Sequence, residues 1–304
     1  MNILITGGNG FIGSHLADEI SDNKLTLFDL KFDKNTEHLN VKKVKGDISK
    51  PKNLTKVIKN QDVVIHLAAV SRVKWGEENP KKCIDVNVYG TLNLLEAIRR
   101  LNPKAFLIFG SSREVYGDPI KLPVNEDHPK NPKSIYGTTK LEAENLIKNY
   151  NRRYGLKYLI LRFSNVYGSE RDHMDRVVPK FILNSLLNKP LEVYGPNNKY
   201  DFVFISDVIN VLKKSLDKVQ EDNLKNEAIN VSTNIGTSLL ELAKKVIKIC
   251  NSKSQIHTYQ PEKYFVDNFI GDNSKLKKLL NYKPKVLLDD GLKILKNKLK
   301  ELIK

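Results

Sequence analysis

MNILITGGNGFIGSHLADEI at residues 1–20, running on to FDL at 28–30, is the stretch whose reading decides the fold. Residues 2–6 are a short apolar run suited to a buried strand. Gly7, Gly10 and Gly13 follow at the spacing G-x-x-G-x-x-G, with a helical pattern over 11–20. One glycine permits the tight turn out of the strand, another lets backbone N–H groups approach a pyrophosphate, and another lets the helix pack closely on the sheet. The helix N-terminus adds unpaired donors and a positive dipole for the phosphates.

The next apolar run, 25–28, ends in Asp29, sixteen residues after Gly13, near where such a fingerprint places an acid for the adenosine ribose hydroxyls. A carboxylate there repels a 2′-phosphate, so the cofactor expected is NAD rather than NADP; Lys31 argues the other way. A glycine-rich turn without ligand is the plainer reading, and strand, glycines, helix and acid in order speak against it.

A chain of 304 residues, 40% of them hydrophobic, can bury the core of one large or two intimate lobes. It has no run of about 18 apolar residues, and a strand starting at residue 2 leaves no room for a signal peptide, so neither a membrane span nor export is expected. Cys83 and Cys250 lie in helical patterns, which fits a reducing cytoplasm, and no His/Cys/Asp cluster has metal-ligand spacing, so no metal is expected. The net charge of +16 comes from scattered lysines, without a basic stripe interleaved with aromatics. Compositional bias accounts for it better than attraction of anionic substrates, and nucleic-acid binding is not expected.

Strand and helix patterns then alternate: strand 41–44, helix 54–59, strand 62–67, a long helix from Pro80 to Leu101, strand 105–109, helix 134–154 and strand 158–161. The alternation predicts an α/β fold with a doubly wound parallel sheet, the Rossmann arrangement, whose ligands bind outside the carboxyl ends of the strands. Residues 1–165 form the expected NAD-binding domain, with 203–231 returning to it; 166–202 and 232–304 form a smaller α/β lobe over the substrate. Its predicted pieces are helix 177–187, strand 191–194, helix 206–219 capped by Ser206, strand 228–231, helix 238–250 and two Leu/Lys helices after Ser274 and Leu288. The closing LKILKNKLKELIK puts Leu292, Leu295, Leu299 and Leu302 on one helical face, which packs on the small lobe rather than on a membrane or partner.

Within 134–140, Tyr136 and Lys140 stand four apart on one helical face. A tyrosine at its ordinary pKa is a poor base at neutral pH, but a lysine ammonium and a positive nicotinamide favour the phenolate. Upstream, GSSREVYG at 110–117 leaves a strand end, where a hydroxyl can bridge Tyr136 and a substrate alcohol. Tyr-x-x-x-Lys alone is common on surface helices; behind the amino-terminal fingerprint it reads as chemistry. His66 and His15 read as packed structural histidines.

With these motifs in place the sequence resembles the extended short-chain dehydrogenase/reductase family, and within it the sugar-nucleotide epimerases, dehydratases and decarboxylases. The resemblance spans the chain through TGGNGFIGSHL (6–16), GDI (46–48), HLAA (66–69), DVNVYGT (85–91), SSREVYG (111–117), YGTTK (136–140), LRFSNVYG (161–168), VVPKFI (177–182), and LEVYG with DFVFISDV (191–208). It implies Tyr136 as catalytic base or acid, Lys140 on the nicotinamide ribose and Ser112 on the sugar O4. Phe11 and Ile12 fall in the fingerprint, Asp47 and Ile48 at the adenine, Leu67, Ala68 and Ala69 beside the pyrophosphate, Asn87 under the cofactor and Phe163 at the nicotinamide end. Asn165 matches a contact to the nucleotide diphosphate, and Val178, Glu192 and Tyr194 match positions around the base. The implied first step is hydride transfer from sugar C4 to NAD as Tyr136 removes the O4 proton, giving a 4-keto sugar.

Three outcomes diverge from that ketone. Dehydratases resemble this loop with an Asp-Glu pair, whereas this chain has Arg113-Glu114, which removes the acid that water loss needs. Glu114 can serve loss of a C6 carboxylate, or it can simply pair with Arg113. Epimerisation needs no further acid or base and is the default: a UDP-hexose 4-epimerase, with a UDP-glucuronate decarboxylase as alternative and a non-catalytic NAD-binding interaction protein as the rival of another class. The resemblance implies an arginine just before the Asp-Phe pair at 201–202, where this chain has Lys199-Tyr200; Lys199, Lys263 or Arg171 can substitute at the phosphates, and the departure leaves the nucleotide diphosphate open. Arg72 and Lys74 lie where relatives border the sugar pocket, or are solvated loop charges. The resemblance also implies a homodimer through helices 80–101 and 134–154.

Overall fold

The apolar runs read from the sequence become the strands of one parallel sheet. The computed structural model describes residues 1–224 and 226–303. In its first half the elements are β1 Asn2–Thr6, α1 Phe11–Glu19, β2 Lys24–Asp29, β3 Lys42–Lys45, α2 Pro51–Leu54, β4 Val63–His66, α3 Val73–Glu78, α4 Pro80–Ile84, α5 Gly90–Leu101, β5 Phe106–Ser112 and α6 Ile135–Tyr154. Then come β6 Tyr158–Phe163, β7 Asn165–Tyr167, α7 Val177–Leu186, β8 Leu191–Tyr194, β9 Lys199–Phe204, α8 Ile205–Gln220, β10 Glu227–Val231, β11 Gly236–Ser238, α9 Leu239–Cys250, β12 Ile256–Tyr259, α10 Ser274–Leu280 and α11 Leu288–Leu302.

The large sheet has the order β10-β6-β5-β4-β1-β2-β3. The chain winds outward in both directions from β1, whose Ile3 and Ile5 pair with Leu25 and Leu27 on one side and with Val63 and Ile65 on the other. That reversal opens a crevice past the carboxyl ends of β1 and β4. Parallel strands covered on both faces read as continuous apolar runs, which is why β1, β4 and β5 are buried along nearly their whole length. Beyond the large sheet, β9 pairs with β7 and β11, and β8 pairs in parallel with β12. One continuous core runs from Ile3, Ile5 and Leu16 through Phe181, Leu191 and Val203 to Leu292, Leu295 and Leu299, so the closing helix packs inward. Leu302 does not join it and stands exposed, because the last turn of α11 runs past the core.

Several local expectations are corrected. The helix expected at 54–59 is instead the single turn Pro51–Leu54, because Pro51 sits at the first helical position and the chain after Leu54 continues only as turns. The long helix to Leu101 is interrupted by a π-helical turn, Asp85–Tyr89, between α4 and α5. Ser206 does not cap α8: β9 runs directly into the helix through Phe204, leaving Ser206 exposed inside its first turn. Strands β7, β11 and β12 are too short to show a period.

Candidate active site

The crevice floor is the β1–α1 turn. Gly7 has φ +73°, and a Cβ on Gly13 would lie 2.2 Å from the Gly7 carbonyl oxygen, so the turn and helix can approach only as glycines. Helix α1 starts at Phe11 without a side-chain cap, which leaves N–H donors of its first turn for phosphate oxygens. At the end of β2, Asp29 accepts from the Asn9 and Leu30 N–H groups at 2.9 and 2.7 Å. Burial pushes its carboxyl up, against the pull of those N–H groups. Lys31 points to solvent and pairs with Asp33 at 3.6 Å, leaving Asp29 to face the ribose position. Sequence reasoning passed over Asn9, whose buried amide oxygen accepts from the Thr36 hydroxyl at 2.7 Å and ties the 33–36 loop to the turn. This cradle, closed to any side chain and ending in a carboxylate, fits NAD and resists a 2′-phosphate.

Around the cradle, Ile48 is buried, and Asp47 accepts from the Ser49 N–H at 2.8 Å. Leu67, Ala68 and Ala69 continue β4 half-buried along the crevice, and Phe163 is buried at the end of β6. The π-turn explains Asn87: its buried amide accepts from the Val70 N–H at 2.8 Å and donates to the Thr139 hydroxyl and the Val70 carbonyl at 2.9 and 3.1 Å. Asn87 therefore clasps the 68–70 loop to α6, and its hydrogen bonds are spent there. His66 is fully buried between the Thr6 and Thr91 hydroxyls at 2.8 and 3.0 Å, and burial pulls it down to about 3. His15 lies edge-on to Phe11, and burial with Arg171 nearby pulls it down to about 4.

Helix α6 carries the reacting centre. Its first turn is fixed by the Ser134 hydroxyl, which accepts from the Gly137 N–H at 3.0 Å, and by the Glu77 carboxylate, which accepts from the Ile135 N–H at 2.7 Å. A Cβ on Gly137 would lie 2.6 Å from the Glu114 carbonyl, so glycine between Tyr136 and Lys140 lets α6 press onto the 3₁₀ turn Arg113–Tyr116 that follows β5. Ser112, at the end of β5, accepts from the Glu114 N–H at 3.2 Å. Burial pushes the Tyr136 phenol up to about 12, opposed by the Ser112 hydroxyl and the Arg176 guanidinium. Lys140 donates to the Gly110 carbonyl at 2.8 Å with its Nζ 6.0 Å from the Tyr136 ring centre; burial pulls it down to about 8. At neutral pH the ammonium keeps its proton, and its two further N–H donors remain for a ribose and for the field at Tyr136.

The structure thus brings Ser112, Tyr136, Lys140 and Glu114 together, all buried. Glu114 touches Arg113 at 2.9 Å, and the guanidinium lies over the Tyr200 ring at 4.9 Å. Arg176, which directly precedes VVPKFI and pairs with Asp172 at 3.4 Å, bears on Tyr136 through its charge and was not among the residues expected from the sequence. Most of the other expected substrate residues have protein partners of their own. Lys74 is exposed beside Glu78, Arg72 pairs with Asp175 and lies over Trp75, and Arg171 pairs with Asp18 on α1 at 2.7 Å. Val178 packs in the core, Glu192 pairs with Lys180 at 3.0 Å and Tyr194 stacks on Tyr259 at 5.0 Å. Asn165 donates to the Asp201 carbonyl at 3.2 Å, while Lys199 and Lys263 are exposed. Among the described residues no group of three or more His, Cys, Asp and Glu is placed to hold a metal ion, and no helix is long and apolar enough to cross a membrane.

Comparison with known proteins agrees with this geometry. The model of the NAD dependent epimerase/dehydratase family matches residues 3–232. A putative UDP-glucose 4-epimerase of Methanocaldococcus jannaschii is 37% identical over 307 residues, covering 98% of each chain. The structure superposes on Thermotoga maritima UDP-glucose 4-epimerase with UDP-glucose at a TM-score of 0.92, with 29% identity and full coverage of both chains. It superposes on Bacillus cereus UDP-glucuronic acid 4-epimerase, in complex with UDP-glucuronic acid and NAD, at 0.91, with 30% identity over 99% of this chain and 100% of the other.

Proposed function

The chain belongs to the NAD-dependent epimerase/dehydratase family, and from that premise we propose that it is a 4-epimerase of UDP-hexoses. The observation that carries the reading is the buried set Ser112, Tyr136 and Lys140 at the mouth of the NAD cradle. NAD, when bound, supplies a hydride acceptor. Every proton movement falls to the chain's own residues: Tyr136 takes the proton of the sugar O4 and later returns it, Ser112 orients that oxygen, and Lys140 favours the phenolate. The ketone then presents its other face. No further acid is required, which suits a site whose one extra carboxylate, Glu114, is held by Arg113.

On this reading residues 1–165 and 203–231 hold the cofactor, and 166–202 with 232–304 cover the sugar nucleotide. Arg176, whose charge acts on the Tyr136 phenol, is the residue we assign to the phosphates in place of the arginine that the family resemblance leads one to expect; it also contacts Asp172 at 3.4 Å. Exposed Ile84, Tyr89 and Tyr154, on or between α4, α5 and α6, suit a homodimer through those helices, and light scattering should return twice the chain mass. Proton NMR of the NAD-loaded protein with UDP-glucose, UDP-N-acetylglucosamine and UDP-glucuronate tests the reaction. Inversion at C4 of one sugar is expected. Loss of the C6 carboxylate would instead assign decarboxylation through Glu114, and an unchanged panel would leave NAD binding without turnover.

A further inference from the structure

Among the described residues two buried arginine–glutamate pairs lie near the reacting centre, and they are built differently. Arg162 and Glu144 meet through two parallel contacts, Nε to Oε1 at 2.9 Å and Nη2 to Oε2 at 2.7 Å. Their remaining capacity is used as well: Arg162 Nη1 donates to the Tyr116 hydroxyl at 2.8 Å, and the Ser111 hydroxyl donates to Glu144 Oε1 at 2.7 Å. That is how a structural pair closes on itself in a dry interior. Arg113 and Glu114 meet through a single contact, Nη2 to Oε1 at 2.9 Å, although their side chains are only 8% and 6% exposed. Arg113 Nη1 and Glu114 Oε2 are both buried without a hydrogen-bond partner.

Orphaned charged atoms in a buried site are costly unless something completes them, and here the donor and the acceptor belong to one pair. The guanidinium lies against the rings of Tyr200 and Phe269 at 4.9 and 5.6 Å, contacts that favour its present position. The pair follows Ser112 directly in the chain, and the Glu114 carboxylate acts electrostatically on the Tyr136 phenol. It therefore borders the place where the proposed function puts the sugar.

We propose that Arg113 and Glu114 form a sugar-reading subsite that takes a neutral hydroxyl, which accepts from Arg113 Nη1 and donates to Glu114 Oε2. The pair carries no net charge, so nothing in it calls for an anion. A carboxylate in that position would satisfy Nη1 but stand against Oε2, two like charges in a site with little water to screen them. The subsite therefore selects neutral hexoses over uronic acids, and Glu114 serves recognition. This inference rests on the sugar lying at Tyr136, as the proposed function has it.

The test is calorimetric binding of UDP, UDP-glucose and UDP-glucuronate to the NAD-loaded protein, for wild type, Glu114→Gln and Arg113→Met. Wild type should bind UDP-glucose at least tenfold more tightly than UDP-glucuronate. Glu114→Gln, which keeps the shape and removes the repelling charge, should shrink that ratio at least tenfold; Arg113→Met should weaken UDP-glucose at least tenfold; both should bind UDP as wild type does. A wild-type preference for UDP-glucuronate, equal losses for UDP and UDP-glucose in both variants, or no binding of any of the three ligands would overturn the subsite. Failure of the proposed reaction reads differently, because binding selectivity would persist while no C4 inversion appears by NMR.

Discussion

Arg162→Met should be the most damaging single substitution beneath the site, and its cost can be worked from contacts. It removes the two bonds to Glu144 at 2.9 and 2.7 Å and the bond to the Tyr116 hydroxyl at 2.8 Å. Burial pushes the Glu144 carboxyl up, but the Arg162 hydrogen bonds and charge outweigh it and hold the group below the usual carboxylate range. Without Arg162, Glu144 keeps the Ser111 hydroxyl at 2.7 Å and Lys148 at a longer 3.4 Å. Removing one partner of a buried ion pair costs about 3–5 kcal/mol, and with Ser111 and the more distant Lys148 still in place the lower end is expected, against a total stability on the order of 5–15 kcal/mol. Replacing both partners by apolar residues of similar size removes the desolvated charges together, so Glu144→Leu with Arg162→Met should lie within about 2 kcal/mol of wild type. Urea unfolding of wild type, both single variants and the double variant gives the coupling, expected to exceed about 2 kcal/mol. A single variant within about 1 kcal/mol of wild type would refute the reasoning. Because Ser111 bonds Glu144 and adjoins Ser112, Arg162→Met should also lower activity.

Gly13→Ala puts a Cβ 2.2 Å from the Gly7 carbonyl oxygen and 3.0 Å from Gly8 Cα, backbone that cannot swing aside. The start of α1 must move, and loss of one or two charge-assisted bonds at about 1.5–3 kcal/mol each should weaken NAD at least tenfold by calorimetry; a change under threefold would contradict the cradle. Tyr136→Phe should lower kcat by roughly 10²–10⁴ with KM little changed, and activity that survives Tyr136→Phe combined with Lys140→Met would remove the pair from the mechanism. His66, held at about 3 against 6.5 in an unfolded chain, favours the neutral ring in the fold. Its contribution is complete above pH 6.5 and is lost as the pH falls toward 3, about 2 kcal/mol of it between pH 7 and 5. The stability gap between wild type and His66→Gln should narrow by that amount; a gap constant with pH would mean the ring titrates in the fold as it does in the unfolded chain, and a gap that widens would mean the ring is charged there.

What could be read from the sequence follows from how local each signal is. The NAD turn is written in consecutive residues, because Gly7, Gly13 and Asp29 each answer a backbone demand within one strand–helix–strand unit. Tyr136 and Lys140 show through helical spacing in the same way. The π-turn around Asn87 does not: its one extra residue per turn barely disturbs an apolar pattern, and its purpose lies in Val70 and Thr139, distant in the chain. The sequence also placed an arginine's absence at Tyr200 without showing that Arg113 covers that ring from another loop. The partners of Lys74 and Arg171, Glu78 and Asp18, could not be read from the sequence, because they are set by tertiary packing and side-chain geometry.

The central claim is that Tyr136 handles only the proton on O4, while the hydrogen on C4 stays with the enzyme and returns to the same carbon. Running the reaction in D2O and following the sugar by proton NMR tests it directly. The account predicts a C4-inverted product that keeps its carbon-bound hydrogens at C4 and C5 through many turnovers. Deuterium at either carbon would contradict it and assign the inversion to proton abstraction from carbon.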